Sequence, residues 1–454
     1  MKKIQKFFFT AGLIFAAACL ILASCTKEGP QGLQGAQGPT GKDGTDGKDA
    51  AETCKLCHAK EVVDRIATEF QLSKHFWGAA AFEEAGNTTC GPCHVQKAYV
   101  YVCANNTSTA FTFNATTNKW INGYTVPASE TIGALGCFTC HTSLHTTYAM
   151  SDLTLTNTAA VPLTMWGGAK TVNLTQGGGS SNLCVKCHQP RPMTCAYDPA
   201  GRLLNYDSVK NFPSVIMYDS TAGAKNTMVR PTYRMHIHYG AVGAVYAGTG
   251  GIEYPGSVSY TSSPHTTLAT CGDCHMASPM TGVAGGHAFN MRNGIETVLG
   301  SSTSWNFNGC NVEGCHKSSP IDANSAKFKA TRTEIKGLLD ALATKINAAG
   351  GGTDILHVDA TTSNLWAGIS TKNYDGYMDI YSSSTNPSGY WRDPANTSAI
   401  NMAKPKFPKL LMVQLGAIIN FQFCLREYSL GIHNTQYVRA LLTNSVEAMN
   451  AAGL

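Results

Sequence analysis

Five times the chain repeats one short pattern: Cys54-Lys-Leu-Cys57-His58, Cys90-Gly-Pro-Cys93-His94, Cys137-Phe-Thr-Cys140-His141, Cys184-Val-Lys-Cys187-His188 and Cys271-Gly-Asp-Cys274-His275. From the cysteine and histidine content alone, about 0.02 matches are expected by chance. Two thiols at this spacing reach the two vinyl groups of one haem, and the histidine that follows ligates the iron from one face. The pattern is the c-type haem attachment signature. A looser sixth site, Cys310-Asn-Val-Glu-Gly-Cys315-His316, has four residues between its thiols instead of two. After five regular sites we expect it to hold a sixth haem c. The covalent ligands are then Cys54, Cys57, Cys90, Cys93, Cys137, Cys140, Cys184, Cys187, Cys271, Cys274, Cys310 and Cys315. The proximal iron ligands are His58, His94, His141, His188, His275 and His316.

Fourteen histidines are present, and six belong to these sites. The other eight are His75, His145, His236, His238, His265, His287, His357 and His433. Their number matters because an iron with imidazole on both faces carries electrons, whereas one with an open face binds substrate. As distal ligands the flanking residues favour His75 (in Ser73-Lys74-His75-Phe76-Trp77), His145, His238, His265, His287 and His433. His287 follows two glycines, which let backbone approach a flat group closely. His145 lies four residues beyond His141, on the same face if that segment is helical. His236 and His238 flank Ile237 and face one way in an extended segment; of the two, His238 is the preferred ligand. His357 has no telling context. Cys103, Cys195 and Cys424 lie outside the motifs.

Residues 1–24 read as a lipoprotein signal peptide. Lys2, Lys3 and Lys6 precede the apolar run Phe7–Leu22, which is short for a spanning helix. Leu22-Ala23-Ser24-Cys25 resembles a bacterial lipobox, with cleavage before Cys25 and lipidation of its thiol. Lipid there holds a protein at a membrane without crossing it. The expected location is therefore the outer membrane, on its periplasmic or cell-surface face. The three lysines leave with the signal, bringing the net charge from +5 to +2. No basic cluster with interleaved aromatics is seen, so no nucleic-acid partner is expected.

In residues 25–50 glycine falls at every third position from Gly29 to Gly47, as a collagen-like triple helix requires. With only Pro30 and Pro39 between them, the stretch reads as a polar stalk. Residues 51–320 form the expected multihaem domain, with attachment sites spaced roughly 35 to 85 residues apart. Val102–Glu130 reads as an inserted hairpin. Residues 321–454 form an expected C-terminal helical region. Ser325–Ala348 carries Phe328, Ile335, Leu338, Leu339, Leu342 and Ile346 at helical spacing, and Gly350–Gly352 stops it. Lys409–Leu430 reads as one apolar helix, broken by Gly431, and Asn434–Ala452 as another. These helices brace the haem body or form a homo-oligomer contact. The expected fold is thus a loop-rich, mainly α multihaem cytochrome with little β, built around a haem chain.

The chain resembles the multihaem c-type cytochromes over about Cys54–Leu454. Cys271-Gly-Asp-Cys-His275-Met276, flanked by His265 and His287, resembles a haem segment of the pentahaem ammonia-forming nitrite reductases and their relatives. Glu427-Tyr-Ser-Leu-Gly-Ile-His433-Asn434 resembles the helix junction that supplies a distal histidine in that superfamily. Those reductases carry a Cys-x-x-Cys-Lys site, and none occurs here, which removes the ground for nitrite reduction. The resemblance implies an electron carrier with about six mostly bis-histidine haems, exchanging electrons with redox proteins or extracellular acceptors. Two alternatives stay open: an oxidoreductase with one open haem acting on a small nitrogen or sulfur compound, and a subunit of a polymeric cytochrome filament.

Overall fold

The computed structural model describes residues 59–77, 90–104, 112–114, 119–121, 135–142, 154–193, 204–219, 235–280, 284–293, 304–351, 354–358, 374–378 and 407–454. Cys25, the stalk, Cys54, Cys57, His58, His145 and Cys195 lie outside the described residues. Residues 52–454 make up one compact unit.

The helices, in chain order, are α1 (Lys60–Gln71), α2 (Lys74–Trp77), α3 (Gly91–His94), α4 (Gln96–Ala104), α5 (Cys137–Cys140), α6 (Ser180–Val185), α7 (Tyr206–Asn211), α8 (Val242–Ala247), α9 (His265–Leu268), α10 (Cys271–His275), α11 (Ala326–Ala348), α12 (Met412–Leu425) and α13 (Thr435–Ala451). The strands form only two-stranded antiparallel pairs among the described residues. These are β1 (Thr112–Asn114) with β2 (Lys119–Ile121), β3 (Val161–Pro162) with β4 (Thr171–Val172), β5 (Ile216–Asp219) with β10 (Lys409–Leu411), β6 (Arg292–Asn293) with β7 (Ser304–Trp305), and β8 (Leu356–Val358) with β9 (Tyr374–Met378).

The long helices follow their apolar spacing. Along α11 the buried stripe is Phe328, Arg332, Ile335, Leu339, Leu342 and Ile346, one face of a 3.6-residue period. Helix α12 is apolar all round and every one of its residues is buried, the pattern of a helix enclosed by protein. It packs against α11 and α13, and with residues of 161–254 these helices share one hydrophobic core. One expectation needs correction. The apolar run from Lys409 does not start a helix, because Lys409–Leu411 pairs with β5 and the helix begins at Met412. It also ends at Leu425, before Gly431; residues 426–434 turn back to start α13 at the Asn434 cap, whose side chain accepts from the Tyr437 amide at 3.2 Å. The expected hairpin is narrower too, since Val102 belongs to α4 and the pair is β1–β2.

Buried amides on α12 and α13 hold the neighbouring backbone. Asn420 accepts from the Ile252 amide at 2.8 Å, and donates to the Ile252 carbonyl at 2.7 Å and to Ser445 Oγ at 2.8 Å. Gln422 accepts from the Ile237 amide at 3.2 Å and donates to the Met235 and Gly376 carbonyls at 3.3 and 2.8 Å. Asn434 accepts from the Ser263 amide at 2.9 Å. A polar group placed in an apolar core is favourable only when its hydrogen bonds are made. Here those bonds fix the segments carrying His236, His238 and His265.

Candidate metal centres

The attachment segments close in one way. The histidine amide donates to the carbonyl of the first cysteine at 3.2 Å in Cys90–His94, 3.0 Å in Cys137–His141 and 2.9 Å in Cys184–His188. The irregular segment does the same, with the His316 amide donating to the Cys310 carbonyl at 3.0 Å. Its two extra residues are taken up in the turn around Gly314, where φ is +77° and glycine is the residue with free access. Helix α10 is fixed by a capping box: Thr270 Oγ1 accepts from the Asp273 amide at 3.1 Å, and Asp273 Oδ2 accepts from the Thr270 amide at 2.7 Å.

Every described cysteine is a free thiol. The Cys187 thiol is hydrogen-bonded to Cys93, which pushes Cys93 down and Cys187 up. The Cys184 thiol is likewise bonded to Cys271, pushing Cys271 down to about 6 and Cys184 up. These contacts set the fourth attachment segment against both the second and the fifth. Burial pushes Cys140 up to about 11 and Cys274 up to about 12. Cys424 is fully buried in α12, pushed up by burial, and takes no part in an attachment segment.

The histidines come together in twos, each pair joining an attachment histidine to a histidine from elsewhere in the chain. Ring centroids are 6.0 Å apart in His75–His188, 6.2 Å in His94–His238, 6.3 Å in His265–His316 and 6.1 Å in His275–His433. Two imidazoles on opposite faces of one metal, each nitrogen about 2 Å from it, have centroids about 6.2 Å apart. The interplanar angles are 71°, 87°, 80° and 18° respectively. His287 is held down by burial, with Glu69 opposing and the nearby His141 adding to the effect. His141 Nδ1 is buried with no hydrogen-bond partner.

Three ring nitrogens that face away from their pairs are engaged. His265 Nδ1 lies 3.0 Å from the Ile432 carbonyl and His275 Nδ1 2.9 Å from the Phe289 carbonyl. His433 Nδ1 lies 2.6 Å from Glu427 Oε2. A nitrogen that donates to an oxygen fixes the tautomer and leaves Nε2 as the lone-pair donor, the usual arrangement behind a metal-bound histidine. The His287 amide donates to Glu69 Oε2 at 3.0 Å.

His236 is also 6.3 Å from His238. Its Nδ1, however, accepts from Arg426 Nη1 and from the His238 amide, both at 3.1 Å. The segment is not extended as the alternating histidines implied. His238 has φ +72°, and the Gln422 side chain holds the backbone on either side of it. Arg426 stacks on Tyr239 and Tyr377, whose hydroxyls touch.

Burial among protein atoms pushes the His188 pKa down to about 3 and His275 down to about 4, although part of the His188 surface stays exposed. A flat, largely apolar group with an iron at its centre fits the donor set of two facing imidazoles with a thiol pair one turn away. Among the described residues no three or more His, Cys, Asp or Glu side chains converge on one point; the histidines meet in pairs.

No family model, curated protein or solved structure matches this chain.

Glu427, Glu69, Asn420 and Gln422 were not singled out as contributors by sequence reasoning. Polar residues inside an apolar helix were the available signal for Asn420 and Gln422. Glu427 stood in the quoted stretch before His433 without a role, because a six-residue separation carries no helical or strand periodicity.

Proposed function

We propose that the chain is a multihaem c-type cytochrome of the cell envelope that carries electrons along covalently held haems. The observation that carries this is the set of four facing histidine pairs at 6.0, 6.2, 6.3 and 6.1 Å, each led by an attachment histidine. Cys90 and Cys93, Cys184 and Cys187, Cys271 and Cys274, and Cys310 and Cys315 would hold four haems by thioether bonds. Their irons would lie between His94 and His238, His188 and His75, His275 and His433, and His316 and His265. Cys137, Cys140, His141 and His287 would serve a fifth site. Cys54, Cys57 and His58 would serve a sixth, with His145 as the distal histidine left over.

When bound, haem c supplies a reversible one-electron couple whose potential depends on axial ligands, hydrogen bonding and burial. The chain's residues do the rest. In the four facing pairs both imidazoles would hold the iron and leave it no free position for substrate. Carbonyl and carboxylate partners hold the rings in one tautomer. Cys93 Sγ lies 3.9 Å from the Lys186 carbonyl and the Cys271 amide donates to Ser181 Oγ at 2.9 Å, which supports reading the fourth segment as a junction of the relay, next to the second and the fifth. Lipidated Cys25 and the Gly-x-y stretch would tether this body to the outer membrane, where redox proteins or extracellular acceptors take the electrons.

The test is haem quantified per chain on the purified holoprotein, with its ferric electron paramagnetic resonance spectrum before and after nitrite, hydroxylamine and cyanide. Six haems, all low-spin and unchanged, is the expected result. A high-spin signal of one haem that shifts with these ligands would replace the carrier with an enzyme.

A further inference from the structure

The His275–His433 pair is backed by a carboxylate. Glu427 is fully buried. Its carboxylate accepts from the Gly431 amide at 2.7 Å and Ser429 Oγ at 2.5 Å, and it faces His433 Nδ1 at 2.6 Å. Ser429 Oγ accepts in turn from the His433 amide at 3.0 Å. The other defined outward nitrogens, on His265 and His275, meet neutral carbonyls.

The turn that presents Glu427 is costly to build. Tyr428 and Leu430 hold φ +67° and +56°, and Gly431 holds +84° with Ile335 close over the position of a Cβ. Backbone in this region persists where surrounding structure imposes it, and it gathers at functional sites. Here it delivers both carboxylate oxygens to their donors within one five-residue turn.

We propose that Glu427 is a positioning residue that makes the iron site between His275 and His433 harder to reduce than the same site would be without its carboxylate. This rests on the haem reading of the histidine pairs. With Nε2 turned to the iron, Nδ1 keeps its proton and donates it to the carboxylate. Negative charge then flows through the ring toward the metal and favours the ferric over the ferrous state. Burial leaves this charge poorly screened. The fifth segment borders the fourth, with the Cys271 amide donating to Ser181 Oγ at 2.9 Å, so the site tuned by Glu427 would lie next to the fourth.

The experiment is a redox titration of the full-length holoprotein, followed by electron paramagnetic resonance. The site has its own signature, since its rings are 18° from parallel whereas the other three pairs are 71°, 80° and 87° apart. Near-parallel imidazoles split the iron d orbitals more rhombically than crossed ones. In Glu427→Gln the midpoint of the rhombic signal is expected to rise while haem per chain and the other midpoints stay put. In Ser429→Ala, where the carboxylate loses a competing donor and leans harder on His433, the same midpoint is expected to fall. Opposite shifts separate electrostatic tuning from mere loosening of the turn, which would move both variants the same way. If Glu427→Gln does not fold, the Ser429→Ala shift decides alone. A fully loaded protein whose rhombic midpoint is unmoved, or moves with the reverse sign, overturns the proposal. A wild-type chain without covalent haem would sink the proposed function itself.

Discussion

Helix α12 buries all of its residues, whereas α9 and α10 bury none. The first carries no attachment residue, and the other two carry His265, Cys271, Cys274 and His275. The first is held by the shared core, where each fully buried Leu, Ile or Phe contributes about 1.5–3 kcal/mol. The short helices are held by capping, by single hydrogen bonds such as Cys271 N to Ser181 Oγ at 2.9 Å, and by the histidine contacts. Around α3 and α4 a second apolar cluster consists, among the described residues, of Val95, Ala98 and Val102. The difference teaches that protein–protein packing accounts for the brace but not for the shell of cysteines and histidines. On the proposed reading, covalent haem would supply the apolar surface that this shell lacks.

The largest effect should therefore come from withholding haem. When the full chain is expressed without c-type haem attachment, amide hydrogen exchange is expected to collapse toward unprotected rates at 137–141, 271–275 and 310–316. The amides of α12 and α13 should keep most of their protection. Equal loss in both regions would break the comparison.

The two regions also differ in how much the sequence discloses. The stripe of Phe328, Ile335, Leu339, Leu342 and Ile346 repeats at helical period and marks α11 to within a residue of its ends. Asn434 and the apolar spacing after it mark α13 equally well. The start of α12 was hidden, because Leu410 and Leu411 continue the apolar run while pairing in β10. In the shell, the attachment motifs are local and can be read directly. Which histidine faces which is not local. His75 with His188 and His275 with His433 are joined only by the folded chain, and no spacing rule relates them. The Glu427 contact was invisible for the same reason, as it depends on a turn with three positive φ values.

A smaller effect tests how the brace positions the shell. Asn420→Ala removes the amide that ties the Ile252 backbone to α12 and leaves the buried Ile252 N–H without its partner, while the Ile252 carbonyl keeps the Tyr254 amide at 3.0 Å. The expected loss is about 2–3 kcal/mol in denaturant unfolding of the holoprotein. The His94–His238 pair hangs from Gln422, not Asn420, so low-spin signals should persist. A variant that loses stability and a low-spin haem together would show that the two regions are one cooperative unit.

The smallest effect sits on the outer face of the brace, where Arg439 Nε and Nη2 donate to the two Glu334 oxygens at 2.5 and 2.9 Å. The hydrogen bond and charge of Arg439 lower the Glu334 pKa. A carboxyl whose folded value is depressed adds stability above its unfolded value, about 4.3, and loses it as pH falls through the folded value. Both side chains are well exposed, at 38% and 42%, so solvent screens the pair and Glu334→Gln should cost no more than about 0.5 kcal/mol at neutral pH. The gap between wild type and variant should close as the solution is acidified below the ordinary glutamate range, and shrink in high salt. If the gap instead exceeds what a screened pair can give, the α11–α13 contact depends on this ion pair rather than on its buried apolar stripe. The brace would then resemble the shell in needing specific polar contacts to stay folded.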